Sequence, residues 1–223
     1  MKQVIQIRCK NNKKTQKVEI GSTLFDVFSS FDLKMTHGPV SARVNNKVEG
    51  MHYRVYNSKD VEFLDMTTAS GSRAYTRTLF FVLCKAVQDI YPATDVVIDI
   101  PVSNGFYVDI RLGRPVVDED VNIIRCRMQE IIDARMPIRR FTVPTEDAIT
   151  LFQEKGDVEK VKLLKTSGSI YTTYYKIGEY VDYYYGTLLT NTSQLYLFGL
   201  EKYYDGMLLR IPSLKNPDEL GEM

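Results

Sequence analysis

Leu79, Val82, Leu83, Ala86, Val87 and Ile90 recur at the spacing of one helix face, which predicts a helix over Thr76–Ile90. Strand-like segments stand on both sides of it, so the chain must combine sheets with at least one well-buried helix. Before the helix, Val4–Ile7 and Gln16–Ile20 read as two strands joined by the polar turn Lys10–Lys14. Gly21-Ser22-Thr23 then opens a short helix, with Asp26 three residues after Thr23 as in a capping box. Its apolar positions are Leu24, Val27, Phe28 and Phe31. Strands follow near Val40–Val44 and Val48–Tyr53, and Val61–Leu64 closes a compact unit. Two strands, a helix and then more strands is the order of a β-grasp fold.

Beyond the long helix, Val96–Ile100 and Phe106–Ile110 read as strands around a Pro101–Gly105 turn. Asp118 reads as the cap of a helix over Glu119–Arg135, whose stripe is Val121, Ile124, Met128, Ile131 and Ile132. A third helix starts at Thr145 after Pro144, and a short fourth covers Asp157–Leu164. Strands are expected at Ile170–Tyr175, Glu179–Tyr185, Gln194–Leu200 and Met207–Ile211. The class is α+β, with a first domain over residues 1–66, a second over 70–212 and a tail over 213–223. In that tail, Asn216-Pro217-Asp218-Glu219 has the residue types of a helix start. It suggests a linker or helix leading to a further C-terminal domain; the other reading is a frayed tail.

Composition removes several function classes. The 223 residues carry 29 basic against 28 acidic side chains, so no overall basic footprint for nucleic acid exists, although a local patch remains open. Cys9, Cys84 and Cys126 are odd in number and widely spaced, which argues for a reducing cytoplasm over a disulfide framework. No apolar run approaches the ~20 residues of a membrane span. No G-x-x-x-x-G-K-[ST] loop is present, so nucleoside-triphosphate binding of that kind is not expected of this chain.

Gly21–Val27 followed by Ala42-Arg43-Val44-Asn45-Asn46 resembles a TGS domain, the small module at the N-terminus of threonyl-tRNA synthetases and of some regulatory GTPases. From Ser70 to Asp109 the chain resembles the second N-terminal, editing domain that threonyl-tRNA synthetases share with alanyl-tRNA editing proteins. The resemblance rests on Ile90-Tyr91-Pro92 at the end of the helix and on Asn104, Gly105, Phe106, Tyr107 and Asp109 in the strand after it. Val181-Asp182 and Met207–Ile211 are similar to the closing segments of that domain, so nearly the whole chain is covered.

The resemblance implies an α/β editing-type fold and also shows which chemistry is missing. Family members place two histidines on the helix with three residues between them, then a cysteine and a histidine further on, around one zinc ion. Such spacing puts both imidazoles on one side of a helix. Here the four corresponding positions are Arg77, Phe81, Tyr184 and Leu188. Arginine cannot release its proton to ligate a metal, and phenylalanine and leucine have no donor atom. A lone phenol does not rebuild the site, so neither a catalytic residue nor a metal ligand is expected. His37 and His52 fall in the first domain and read as surface or packing residues, and Cys84 as a buried, inert thiol.

A vestigial pocket would be lined by Arg77, Phe81 and Tyr184, because their family counterparts converge there, with Asn104, Tyr107 and Asp182 as further candidates. Arg77 could hold a carboxylate or phosphate, or pair with an acid such as Asp182. Tyrosines crowd Tyr171–Tyr185; they suit base stacking, but also plain strand packing. Lys10, Lys13, Lys14 and Lys17 form a basic cluster able to meet phosphates, or simply a solvated hairpin. Arg139-Arg140 adds a second short one.

TGS and editing-type domains without the editing residues resemble the N-terminal half of bacterial uridine kinase-like proteins. That resemblance implies a non-catalytic recognition or regulatory region, partnered by RNA or a small nucleotide and by an attached kinase domain. ATP and magnesium would belong to that kinase and to no residue here. The alternative is a threonyl-tRNA synthetase fragment or a stand-alone hydrolase of mischarged tRNA.

Overall fold

The computed structural model describes residues 3–92, 94–103 and 105–221, with no statement on the side chain of Asp99. Contacts divide the chain into two compact units. One runs up to Met136 and resumes at Thr187; the other is the intervening stretch Pro137–Gly186.

The first unit begins with a five-stranded sheet built from β1 (Val4–Cys9), β2 (Thr15–Glu19), β3 (Ser41–Val44), β4 (Lys47–Glu49) and β5 (Lys59–Leu64), in the order β2-β1-β5-β3-β4. β1 and β5 are parallel, with Ile7 opposite Lys59 and Arg8 opposite Asp60. Helix α1 (Leu24–Ser30) packs on one face, where Ile7, Leu24, Val27, Phe31, Val61 and Phe63 form part of the core. Its capping box forms as the sequence predicts. The Thr23 hydroxyl accepts from the Asp26 amide at 3.2 Å, and the Asp26 carboxylate accepts from the Thr23 amide at 2.7 Å. β4 stops at Glu49 and does not continue to Tyr53. Residues 50–53 turn instead, and the carbonyls of Met51 and Tyr53 accept the Phe25 and Leu24 amides at the start of α1. Those amides have no partner within a helix, so the turn satisfies groups that a longer strand would have left bare.

Helix α2 spans Ala69–Ile90, longer than its apolar stripe indicates. Thr68 caps it, accepting the Gly71 amide at 3.0 Å. A Cβ at Gly71 would lie 1.8 Å from the Asp65 carbonyl oxygen, so only glycine lets the chain enter the helix this closely. Helix α3 runs Asp118–Asp133. Asp118 lies inside it and is not its cap; Asp120 carries out that task, accepting the Val117 amide at 2.9 Å.

A four-stranded antiparallel sheet completes this unit, ordered β11-β12-β7-β6 from β6 (Val96–Val102), β7 (Gly105–Ile110), β11 (Gly199–Tyr203) and β12 (Gly206–Arg210). Of the strand expected at Gln194–Leu200, only Gly199 and Leu200 are extended, as the start of β11. A 3-10 turn covers Thr192–Gln194, and the amide and carbonyl of Leu197 both bond to the Tyr75 hydroxyl, at 3.0 and 2.8 Å. A side chain has taken the groups that a ladder would need. The helix start expected at Asn216–Glu219 is a turn. The Glu219 amide donates to the Asn216 carbonyl, the Ser213 amide donates to the Glu219 carbonyl, and Pro212 bridges Leu220.

The second unit is a three-stranded antiparallel sheet, β10-β9-β8, with two helices. Its elements are β8 (Arg139–Pro144), α4 (Thr145–Glu154), α5 (Val158–Thr166), β9 (Tyr171–Ile177) and β10 (Tyr180–Tyr183). Ala148, Ile149, Phe152, Leu164 and Val181 form its core. β8 was not expected as a strand, since Arg139-Arg140 reads as a charge cluster; its registry with β9, Phe141 opposite Tyr174, is what shapes it.

Candidate functional site

Of the four positions that carry zinc chemistry in the resembled family, three lie in the first unit. Arg77 is half-buried on α2 and donates through Nη1 to the Thr187 carbonyl at 3.4 Å. Phe81, one turn later, and Leu188 are both wholly buried. The segment around Leu188 is held along α2 by Thr78, whose hydroxyl accepts the Leu189 amide at 2.9 Å and donates to the Ala74 carbonyl. Tyr184 lies in the second unit, half-buried just past β10. Among the described residues no three His, Cys, Asp or Glu side chains gather as a metal-ligand set.

The vestigial pocket divides in the same way. Asn104 lies outside the described residues. Tyr107 sits on β7 with its ring 6.3 Å from that of Tyr203, whereas Phe106 beside it meets Phe80 of α2 at 4.9 Å. Strand alternation therefore turns Tyr107 away from the helix that carries Arg77. Burial raises the Tyr107 phenol above its usual range, and Asp109 and Asp205 raise it further. In the second unit Asp182 accepts from Lys160 at 2.8 Å, from the Tyr180 hydroxyl at 3.0 Å and from the Tyr183 amide at 2.6 Å. Its partner is therefore a lysine of its own unit. Burial works to lower the Lys160 ammonium, but Asp182 and Asp157 outweigh it and hold the group above its ordinary range.

The tyrosines serve both purposes that the sequence left open. Tyr175 is buried and donates to the Gly186 carbonyl at 2.7 Å, and Tyr174 stacks on Phe141. Tyr171 and Tyr185 stand in solvent. His37 stacks on Tyr196 with ring centres 3.6 Å apart and meets the Asp218 carboxylate at 2.6 Å. Tyr196 is pushed up to about 12, by burial first and then by Asp218 and Asp65. Cys84, expected buried, is half-buried, and no cysteine is in a disulfide.

Lys10, Lys13, Lys14 and Lys17 are all exposed on the β1–β2 hairpin, and none enters an ion pair among the described residues. The sheet adds two cations that the sequence reading missed. Arg8 and Lys59 line a shallow concavity of about 330 Å³ on the open face, with Gln6, Thr15, Ser58 and Asp60. Some fifty positions separate Arg8 from Lys59, and only the parallel β1–β5 pairing joins them; nothing local in the sequence signals it. Up to Asp65 the chain holds eleven lysines and arginines against seven acids, so the near-neutral total conceals a basic β-grasp.

The fold is thus α+β, a β-grasp followed by an editing-type α/β region, and the chain is threonyl-tRNA-synthetase-like. Among curated proteins it is similar to the threonine–tRNA ligase of Acetivibrio thermocellus, at 29% identity over 181 residues, covering 81% of this chain and 28% of that protein. The ligase of Clostridium kluyveri is 28% identical over 193 residues, covering 86% and 30%. That of Marinobacter nauticus is 26% identical over 181 residues, covering 81% and 28%. The chain therefore spans under a third of the length of these relatives. No family model matches it. Among the described residues no helix is long and apolar enough to cross a membrane.

Proposed function

We propose that this chain is a threonyl-tRNA-synthetase-type N-terminal region that recognises RNA without cleaving the aminoacyl ester. One observation carries the reading: the β-grasp keeps an exposed lysine hairpin with no ion pair among the described residues, while the positions matching the editing residues hold Arg77, Phe81, Tyr184 and Leu188. Phe81 and Leu188 supply buried hydrocarbon where editing needs imidazole, so neither can ligate a metal or take a proton from water. Lys10, Lys13, Lys14 and Lys17, with Arg8 and Lys59 beside them, would meet the phosphates.

The test is filter binding of a tRNA transcript to the full chain over a range of salt. The slope of log affinity against log salt should shrink by about 0.7–0.9 for each hairpin lysine changed to glutamine. An unchanged slope in the quadruple variant removes the hairpin from the reading. Release of amino acid from mischarged tRNA above the uncatalysed rate overturns the non-hydrolytic part.

The replacement of all four editing positions favours a second reading, in which the chain is the regulatory region of a nucleoside kinase-like protein. The coding sequence downstream separates the two: a phosphate-binding glycine-rich loop supports the kinase, a synthetase core the first reading.

A further inference from the structure

Tyr107, Tyr203 and Tyr204 meet at one end of the four-stranded sheet, on the face turned away from α2. The Tyr107 and Tyr203 rings are 6.3 Å apart and inclined at 62°, and those of Tyr203 and Tyr204 are 4.7 Å apart and inclined at 87°. Gly206, paired with Tyr203 across the β11–β12 ladder, makes this possible. A Cβ there would lie 2.7 Å from the Tyr107 hydroxyl oxygen, so the phenol rests on bare backbone. All of these residues belong to the first unit.

Folding does not account for Tyr204. It is 79% exposed, so its ring buries little area, and its backbone is left-handed at φ 47°, a conformation that Asn or Gly adopts at lower cost. Backbone strain of this kind clusters at ligand sites. Two carboxylates stand with the rings. Asp205 follows Tyr204 in the turn and is exposed, and Asp109 lies two residues beyond Tyr107 on β7, hence on the same face. Both are close enough to add to the effect of burial in raising the Tyr107 phenol. Neither forms an ion pair among the described residues.

An anion arriving here would meet two like charges, and an uncharged apolar group would leave both carboxylates without a counter-charge. A cation finds ring faces whose quadrupole attracts it, beside carboxylates that complete the pairing. We propose that this tyrosine–carboxylate cluster binds an alkylammonium cation, either a free amine or the lysine side chain of a partner polypeptide. The ammonium would sit against Tyr203 and Tyr204 between Asp109 and Asp205, with its alkyl stem along Tyr107. Its charge requirement is the opposite of the lysine hairpin's, so the two surfaces select different ligands.

The experiment titrates the isotope-labelled full chain with n-butylammonium and with a capped glycine–lysine–glycine peptide, and in parallel with 1-butanol and butyrate, following amide shifts by NMR. Saturable shifts at Tyr203, Tyr204, Asp205 and Gly206 with an ammonium compound, and none with the alcohol or the carboxylate, are the expected result. A response to both ammonium compounds assigns the site to amines in general; a response to the peptide alone assigns it to a polypeptide partner. Tyr204→Leu should weaken binding about two- to fivefold, the loss of one exposed cation–π contact, whereas Tyr204→Phe keeps the ring and the affinity. Asp109→Asn combined with Asp205→Asn should weaken it by about tenfold. Tyr204→Asn should raise the thermal midpoint while weakening binding; a fall in that midpoint would give Tyr204 a structural role and remove the case for a ligand. The proposal is also overturned by no saturable shift with either ammonium compound, by equal binding of butanol or butyrate, or by a Tyr204→Leu variant that binds as tightly as the parent. RNA binding can succeed or fail without affecting any of these results.

Discussion

Asp120 shows how one side chain can stabilise a junction without being part of any site. Its carboxylate accepts both Arg114 Nη groups at 2.6 and 2.8 Å, the Tyr91 hydroxyl at 2.6 Å and the Val117 amide at 2.9 Å. The Arg114 hydrogen bonds hold it well below the usual carboxylate range against the opposing effect of burial. A carboxyl depressed in the folded state stabilises the protein above its unfolded pKa, and that contribution fades as pH falls. Asp120→Asn should therefore lower the urea midpoint at neutral pH. It should also flatten the decline in stability below about pH 4, the carboxylate reference value, and leave the slope between neutrality and that point unchanged. An acid limb as steep as the parent's would show that the carboxylate plays no such role. Tyr75 is the second case. Tyr75→Phe strands the amide and carbonyl of Leu197 and should cost ~1–3 kcal/mol in denaturant unfolding. Neither role was visible in the sequence: Asp118 looked the better cap, and Tyr75 acts on a residue 122 positions away.

At the level of elements, periodicity and start signals located all five α-helices of the described residues, and only α2 begins well before the expected residue. The stripe Leu79–Ile90 marks the buried face of α2, yet the helix starts at Ala69, where small residues carry no apolar rhythm. What starts it is Thr68 as cap and Gly71 beneath the Asp65 carbonyl. Thr68→Ala should cost ~1 kcal/mol, the usual value for a lost N-cap. Gly71→Ala must displace backbone and should reach or exceed the upper end of the ~1–3 kcal/mol typical of overpacking. Thermal unfolding of the pair checks the order; a Gly71→Ala variant as stable as Thr68→Ala contradicts the close approach. Strands were legible where alternation was clean, as in β1 and β2, or where an apolar run was continuous, as in β12. β8 was obscured by Arg139-Arg140, and the first part of the strand expected at Gln194–Leu200 was lost to a side chain from elsewhere.

For the molecule as a whole, the order of elements was enough to read a β-grasp and an α/β region. The division at Met136 and Thr187 was not legible, because no glycine- or proline-rich linker marks either crossing. The candidate site was legible by residue type: replacing histidine with Phe81 and Leu188 needs no coordinates to interpret. Arg8 and Lys59 needed the parallel pairing to be seen together. Two cores also imply two opening reactions. Native-state hydrogen exchange should place the amides of β8, β9, β10, α4 and α5 in one cooperative group, distinct from that of α2 and the four-stranded sheet. A single isotherm across all amides would refute that.

The topology of the first unit also bears on how the chain is made. Its four-stranded sheet needs β11 and β12, which follow the whole of Pro137–Gly186, so on the ribosome the inserted piece is complete while its host still lacks two strands. The later-finished body encloses the earlier one in sequence, and maturation from the tunnel runs from the inside outward.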